Sequence, residues 1–205
     1  MQKQGGCIIE IWNLRRIWDA LFGMQGGIFL RRIQKLHIAG VVFSIIAGTL
    51  LHFVYEWFGG PVFSVLGAVN ESTWEHLKLL VWPFLGFGVL EFLVYGKQTK
   101  SFFPAKSIGI LSGMLTIIII FYTYTGVLGF HLLAVDIAVF VIGVLVAYGQ
   151  SFRMLSKGQE CPPSGMGILI SAAFLGLLVV LFVVFTYAAP PIGLFADPAT
   201  GNYGL

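Results

Sequence analysis

The sequence predicts an all-α fold, a membrane bundle of five transmembrane helices with the N-terminus inside the cell and the C-terminus outside. Two observations predict it. First, 58% of the 205 residues are hydrophobic and only 10% are charged, whereas a soluble domain carries about 25% charged residues. A chain this apolar needs lipid as the solvent for much of its surface. Second, lysine and arginine gather at alternate connections between the apolar segments.

Five segments have the length and composition to cross about 30 Å of hydrocarbon at about 1.5 Å per residue. They lie at 36–58, 76–95, 107–127, 131–151 and 166–188. Glycine and proline residues close them, because these residues do not continue a helix readily. The chain therefore divides into a basic cytoplasmic segment over 1–35, a membrane domain over 36–188 and an external Pro/Gly-rich tail over 189–205.

The first 35 residues have two interpretations. In one, they form an interfacial helix along the inner membrane surface, with Trp12 and Trp18 among its apolar residues. In the other, translation starts at Met24 and residues 1–23 do not belong to the native protein. Cys7 and Cys161 both face the cytoplasm in this topology, so free thiols are expected.

The basic residues determine the predicted orientation, because lysine and arginine concentrate in cytoplasmic loops. With the N-terminus inside, eleven of the twelve basic residues are cytoplasmic and only Lys78 is outside. We therefore expect a multi-pass protein of a bacterial plasma membrane, with membrane lipid as its partner. Nucleic-acid binding is not expected, since the sequence lacks a basic face supported by a nucleic-acid motif.

Polar residues concentrate at the predicted outer ends of the spans. His52 and Glu56 are four residues apart and share a helix face. His131 opens the fourth span, and Asp136 follows about 7 Å deeper by helical rise. The predicted binding cluster at this level comprises His52, Glu56, Asn70, Glu71, His76, Lys78, His131 and Asp136.

A charge inside a membrane span normally pairs, coordinates a ligand or lines a cavity. Asp136 has no basic residue in its own span, so Lys78, His76 or a bound cation is its expected partner. At the opposite side, His37 is expected at the cytoplasmic interface, and Glu91 is expected to reach the lysine-rich loop that follows it and contains Lys106.

The segment before the second span also has a structural explanation. Ser72-Thr73-Trp74-Glu75 fits the S-x-x-E capping box, in which the two polar side chains bind free amides at a helix start. Capping and a functional role are compatible. The tail has no helical period, and Phe195, Asp197 and Tyr203 are predicted to fold back over the polar cluster as a lid.

The chain resembles a bacterial multi-pass membrane family of unknown function from about residue 31 to residue 205. The resemblance rests on Asn70-Glu71-Ser72-Thr73-Trp74-Glu75-His76-Leu77-Lys78 and on His52-Phe53-Val54-Tyr55-Glu56-Trp57. It implies the membrane architecture but no activity. A second resemblance, to membrane hydrolases of the alkaline ceramidase and progestin-adipoQ receptor type, rests on Ser72-x-x-x-His76 and Asp136. Those proteins have seven helices and a late His-x-x-x-His pair, which the fifth span here lacks.

Three functions follow as hypotheses. The first is a structural or binding network at the outer face, in which mutually satisfied polar groups fix the packing of the bundle. The second is a metal-dependent hydrolase of an amphiphilic substrate, with His52, His76 and His131 as zinc ligands and Asp136, Glu75 and Ser72 as catalytic candidates. The third is a small-solute transporter, although transporters usually carry paired broken helices at the midplane.

Overall fold

The computed structural model describes residues 28–160, 163–198 and 200–205, and over these residues the protein is all-helical. Five helices are long and apolar enough to cross a membrane, which indicates a multi-pass membrane protein and confirms the predicted class. The helices are α1 (Ile28–Phe58), α2 (Gly60–Leu66), α3 (Thr73–Val94), α4 (Phe102–Leu128), α5 (Leu133–Glu160) and α6 (Gly165–Tyr187), with a 3-10 turn at Gly96–Gln98 between α3 and α4. Both interpretations of residues 1–23 concern a part of the chain outside the described residues, as do Cys7 and Cys161.

α1 and α5 extend furthest beyond the apolar segments that predict them. α1 begins at Ile28 rather than 36, and α5 continues to Glu160 rather than ending at 151. Charged residues such as Arg31 and Arg153 fall in these extensions. Lysine and arginine are good helix formers, so the helix continues where hydropathy falls. The short helix α2 follows directly, because Gly59 and Gly60 have φ values of 59° and 80° that reverse the chain.

The spans run antiparallel in turn, which gives the bundle two ends. The motif end contains the end of α1, the segment 67–72, the start of α3 and the tail 188–205. The basic end contains the start of α1, the segment 95–101 and the end of α5. The predicted polar cluster lies at the motif end.

α3 is the central helix. Half of the residues in its most apolar stretch are buried, whereas the same fraction is 17% in α1 and 11% in α6. The helix continues through the buried Pro83, which membrane helices tolerate when neighbours satisfy the freed backbone groups. Its position between the other spans accounts for the burial of its charged residues Glu75, Lys78 and Glu91.

Small residues let the helices approach closely. At Gly48 of α1, an added Cβ would lie 2.5 Å from the carbonyl oxygen of Leu79 in α3. α4 and α5 meet in the same way, because a Cβ on Gly113 would lie 2.8 Å from the carbonyl oxygen of Gly143. Membrane helices associate through such backbone contacts, since lipid supplies little hydrophobic driving force between them.

We expect Gly113→Ala to destabilise the bundle by about 1–3 kcal/mol, because the new methyl group overpacks a contact with backbone that cannot move aside. The measurement is thermal unfolding of the protein purified in detergent. Gly176→Ala is the matched control, since a Cβ there meets nothing within 4 Å. Equal unfolding temperatures for the two variants would contradict the close α4–α5 contact.

Candidate functional site

The start of α3 is capped as the sequence predicts, but only in part. The Ser72 hydroxyl accepts from the Glu75 amide at 3.3 Å, which is the first half of a capping box. The second half differs, because the Glu75 carboxylate accepts from the Val69 amide at 3.0 Å and the Ser72 amide donates to the Asn70 side chain at 3.0 Å. These bonds hold the turn 69–72 rigidly against the helix. Ser72 and Glu75 therefore have structural roles, and catalytic roles for them stay predictions.

Glu75 also holds a buried lysine. Lys78 is fully buried, and its ammonium donates to the Glu75 carboxylate at 2.5 Å. It also donates to the carbonyl oxygens of Ser64 at 2.9 Å and Gly67 at 3.4 Å, at the C-terminal end of α2. A cation at that position binds helix carbonyls that lack partners. Lys78 thus bonds α2 to α3, so its pairing with Asp136, one of the three expected alternatives, is wrong.

The tail folds back on the start of α3. The Trp74 amide donates to the Leu194 carbonyl at 3.0 Å, and the Asn70 side chain donates to the Gly204 carbonyl at 2.9 Å. The Phe195 ring is buried, with its centroid 4.8 Å from that of Trp74. Phe195 therefore folds back as predicted, but its contact is with Trp74, and a lid over the polar cluster stays a prediction. Tyr203 is 43% exposed, so it does not seal the structure as predicted.

His52 and His76 face each other across the α1–α3 interface. Their ring centroids are 5.2 Å apart, and Nε2 of His76 lies 3.4 Å from a carboxylate oxygen of Glu71. One ligand atom from each of His52, Glu71 and His76 lies within 4.8 Å of the other two. We call these three residues the histidine site. Glu56, on the same helix as His52, is exposed.

The bonding of the two histidines differs from that of the motif residues around them. Nδ1 of His76 donates to the Ser72 carbonyl at 2.9 Å, which leaves Nε2 with its lone pair. Nδ1 of His52 is buried and has no hydrogen-bond partner among the described residues. A buried polar atom of this kind usually has a partner, such as water or an ion. The histidine site therefore has unused ligand capacity.

Asp136 and His131 form a separate group. The Tyr124 hydroxyl of α4 donates to the Asp136 carboxylate, and Nδ1 of His131 lies 3.0 Å from its other oxygen. The predicted partners of Asp136 were Lys78, His76 or a cation. Lys78 and His76 are wrong, because Tyr124 and His131 occupy the two carboxylate oxygens instead. His131 is 67% exposed on its side chain. Among the described residues, it does not belong to the three-residue histidine site.

A second ionic network lies at the basic end, and the sequence predicted only the contact of Glu91 with the lysine-rich segment that follows α3. His37, Glu91 and Lys106 are all buried, although His37 was expected at the interface and Lys106 in a loop. The Lys106 ammonium donates to one Glu91 oxygen, and Nδ1 of His37 lies 3.0 Å from the other. Nε2 of His37 lies 3.3 Å from the Ser151 hydroxyl. The network thus joins α1, α3, α4 and α5.

Aromatic residues complete the basic-end network. The Lys106 ammonium lies 4.7 Å from the ring centroid of Phe84 and 5.3 Å from that of Tyr148, which favours a buried cation. Tyr95 is also buried, and burial together with the nearby Glu91 carboxylate raises the pKa of its phenol above the usual range. The sequence did contain a signal for this network. His37 and Glu91 lie inside apolar segments, where an ionisable residue normally has a partner.

Together, the spans and the two polar networks define a multi-pass α-helical membrane protein whose polar groups are concentrated near the ends of the bundle. The model of a family of unknown function, DUF6512, matches residues 28–205, and the chain belongs to that family. This confirms the resemblance to a family without an assigned activity, whereas the motif as its hallmark and a bacterial origin stay predictions. Neither the curated proteins nor the solved structures contain a match.

We expect Phe195→Ala to cost about 3–5 kcal/mol, because it removes a buried ring from between Trp74 and Phe185. The half-exposed Tyr203 provides the control, and Tyr203→Ala should cost less than about 1 kcal/mol. Thermal unfolding in detergent measures both. If the two variants unfold alike, the tail does not dock through Phe195.

We expect Lys106→Met to cost about 3–5 kcal/mol, since it leaves the buried Glu91 carboxylate without its cation. Adding Glu91→Gln to this variant should recover part of the loss, because the uncompensated charge is then gone. Lys100→Met, at an exposed position of the same end, should change stability by less than about 0.5 kcal/mol. Denaturation by a graded series of detergents reports the order, and a double variant less stable than the single one would refute the argument.

Proposed function

We propose that the protein is a binding protein of the bacterial plasma membrane, whose motif end faces the outside and offers the histidine site to a small polar or ionic ligand. One observation carries this proposal: some motif residues bond to the surrounding structure, whereas their neighbours in the histidine site contact mainly one another. Glu75 and Lys78 hold α2 and the turn before α3. In the described part of the chain, the polar side-chain contacts of His52, Glu71 and His76 are with one another and with one backbone carbonyl.

The environment of Lys78 supports the orientation. The exposed basic residues of the described chain, such as Arg31, Arg32, Lys97 and Lys100, lie at the basic end. Lys78 is the one lysine or arginine of the described chain at the motif end, and its charge is buried and paired with Glu75. It therefore does not contribute to the surface charge that membrane orientation follows. With the basic end in the cytoplasm, the histidine site lies outside.

Packing between the two ends favours binding over transport. Rings fill the α1 interface between the histidine site and the basic-end network, with Phe87 and Tyr148 against Gly40 and Phe140 against Gly48. The hydroxyls of Ser44 and Tyr148 bind each other at 3.0 Å. A transporter instead places its substrate site near the midplane, lined by interrupted helices. Here, the buried polar atoms without a hydrogen-bond partner among the described residues, such as those of His52 and Tyr95, lie toward the ends of the bundle rather than at its middle.

The orientation is testable with single cysteines placed in a chain that carries Cys7→Ser and Cys161→Ser. We expect Glu71→Cys to react with a membrane-impermeant maleimide on intact cells, because the side chain is 58% exposed at the motif end. Lys100→Cys, at the exposed basic end, is the matched control and should react only after the membrane is made permeable. The measurement is the labelled fraction of each variant.

The reverse labelling pattern would place the motif end in the cytoplasm and refute an external binding site. Labelling of both cysteines on intact cells would show mixed insertion and would equally count against the proposal. The conservative Glu71→Gln variant, assayed for thermal unfolding, checks that the fold does not depend on this carboxylate.

A further inference from the structure

The histidine site has the donor set and the spacing of a transition-metal centre. Zinc bonds of about 2.0–2.1 Å to imidazole and carboxylate place tetrahedral ligand atoms about 3.3 Å apart. The separation between Nε2 of His76 and the Glu71 carboxylate is already 3.4 Å. The other pairs lie within 4.8 Å, so small side-chain rotations bring all three atoms to bonding distance.

The surrounding bonds orient the ligands as metal sites require. A metal-binding histidine usually donates its second ring N–H to a carbonyl or carboxylate, which fixes the ring and its tautomer. His76 does this through Nδ1 and the Ser72 carbonyl. Glu71 lies in the turn that Asn70 and Ser72 hold. Nδ1 of His52 is buried and lacks a partner among the described residues, which is unusual for a polar atom without a ligand nearby.

We propose that His52, Glu71 and His76 bind one divalent transition metal of the zinc class, a proposal that rests on the binding function given above. Two imidazoles select such ions over Mg²⁺ and Ca²⁺, which prefer oxygen ligands. Three protein ligands leave a fourth position to solvent, as in zinc sites that are not purely structural. Glu71 replaces His131 of the sequence-based ligand set, since His131 pairs with Asp136 instead.

The test uses the full chain with Cys7→Ser and Cys161→Ser, purified in detergent and stripped of metal with a chelator. Zn²⁺ is then added in competition with a chromophoric chelator, and Co²⁺ is added separately. We expect one Zn²⁺ per chain. Co²⁺ should give the intense visible absorption of a four-coordinate site, because its bands distinguish that geometry from the hydrated ion.

Each of His52→Gln, Glu71→Gln and His76→Gln should lower the Zn²⁺ affinity by more than about tenfold. Changing a residue that only hydrogen-bonds to a metal ligand already costs about that much, and these residues are the ligands themselves. His131→Gln is the matched control. It removes an exposed imidazole at the same end and should leave the affinity and the Co²⁺ spectrum unchanged. Thermal unfolding without metal checks that each variant is folded.

Three results would overturn the metal site. The first is the absence of stoichiometric Zn²⁺ binding, and the second is a Co²⁺ spectrum identical to that of the hydrated ion. The third is an equal Zn²⁺ affinity in all four variants, which would indicate an adventitious ion only. A variant that fails to fold does not decide the matter, and the Co²⁺ spectrum of the parent chain then does. External labelling of Glu71→Cys without Zn²⁺ binding would reject the metal and keep the outward binding site. Labelling of Glu71→Cys only after the membrane is made permeable, together with Zn²⁺ binding, would keep the metal site and reject its outward position.

Discussion

Lys78 carries a charge into the interior of the bundle, where a cation without partners is costly. Its ammonium is stabilised by the Glu75 carboxylate and by the carbonyl end of α2. Because one group binds both elements, the position of α2 fixes the turn between them, and that turn carries Glu71. The geometry of the histidine site therefore depends on an ion pair that is not part of it. Replacing Lys78 would disturb the site through the backbone, which separates its role from that of the ligand residues.

The antiparallel packing of α1 and α3 explains why ionisable residues occur at two levels. His37 faces Glu91 at one end, and His52 faces His76 at the other. In both helices the two residues are fifteen positions apart in the sequence, which corresponds to about 22 Å of helix. The two helices therefore stay in register over most of the span. A shift of one helix by a turn would separate both pairs at once, so the buried polar contacts specify the register that the apolar contacts alone would leave loose.

Hydropathy was sufficient to predict the five spans, because lipid requires long apolar segments whatever their packing. The partners of the ionisable residues could not be predicted in the same way. Apolar residues lie on all sides of α3 and α4, so the sequence does not show how each helix is rotated about its axis. Lys106 illustrates the difficulty. It was placed in a loop by its charge, but its helix begins at Phe102 and packing turns it toward Glu91. The capping residues were predictable because their bonds are local.

The same reasoning explains why the third member of the histidine site is Glu71 and not His131. Sequence reasoning grouped the imidazoles by their depth in the membrane, which neglects whether each already has a partner. Asp136 lies in the first turn of α5, five residues after His131, and accepts from the Tyr124 hydroxyl of the adjacent span. That hydroxyl binds the partly buried acid without a cation, and the acid in turn holds His131. Glu71 lies in a turn whose backbone is already bonded by Asn70 and Ser72, so its carboxylate is free to face His76. Bonding state, rather than depth, decides which residues are available to a ligand.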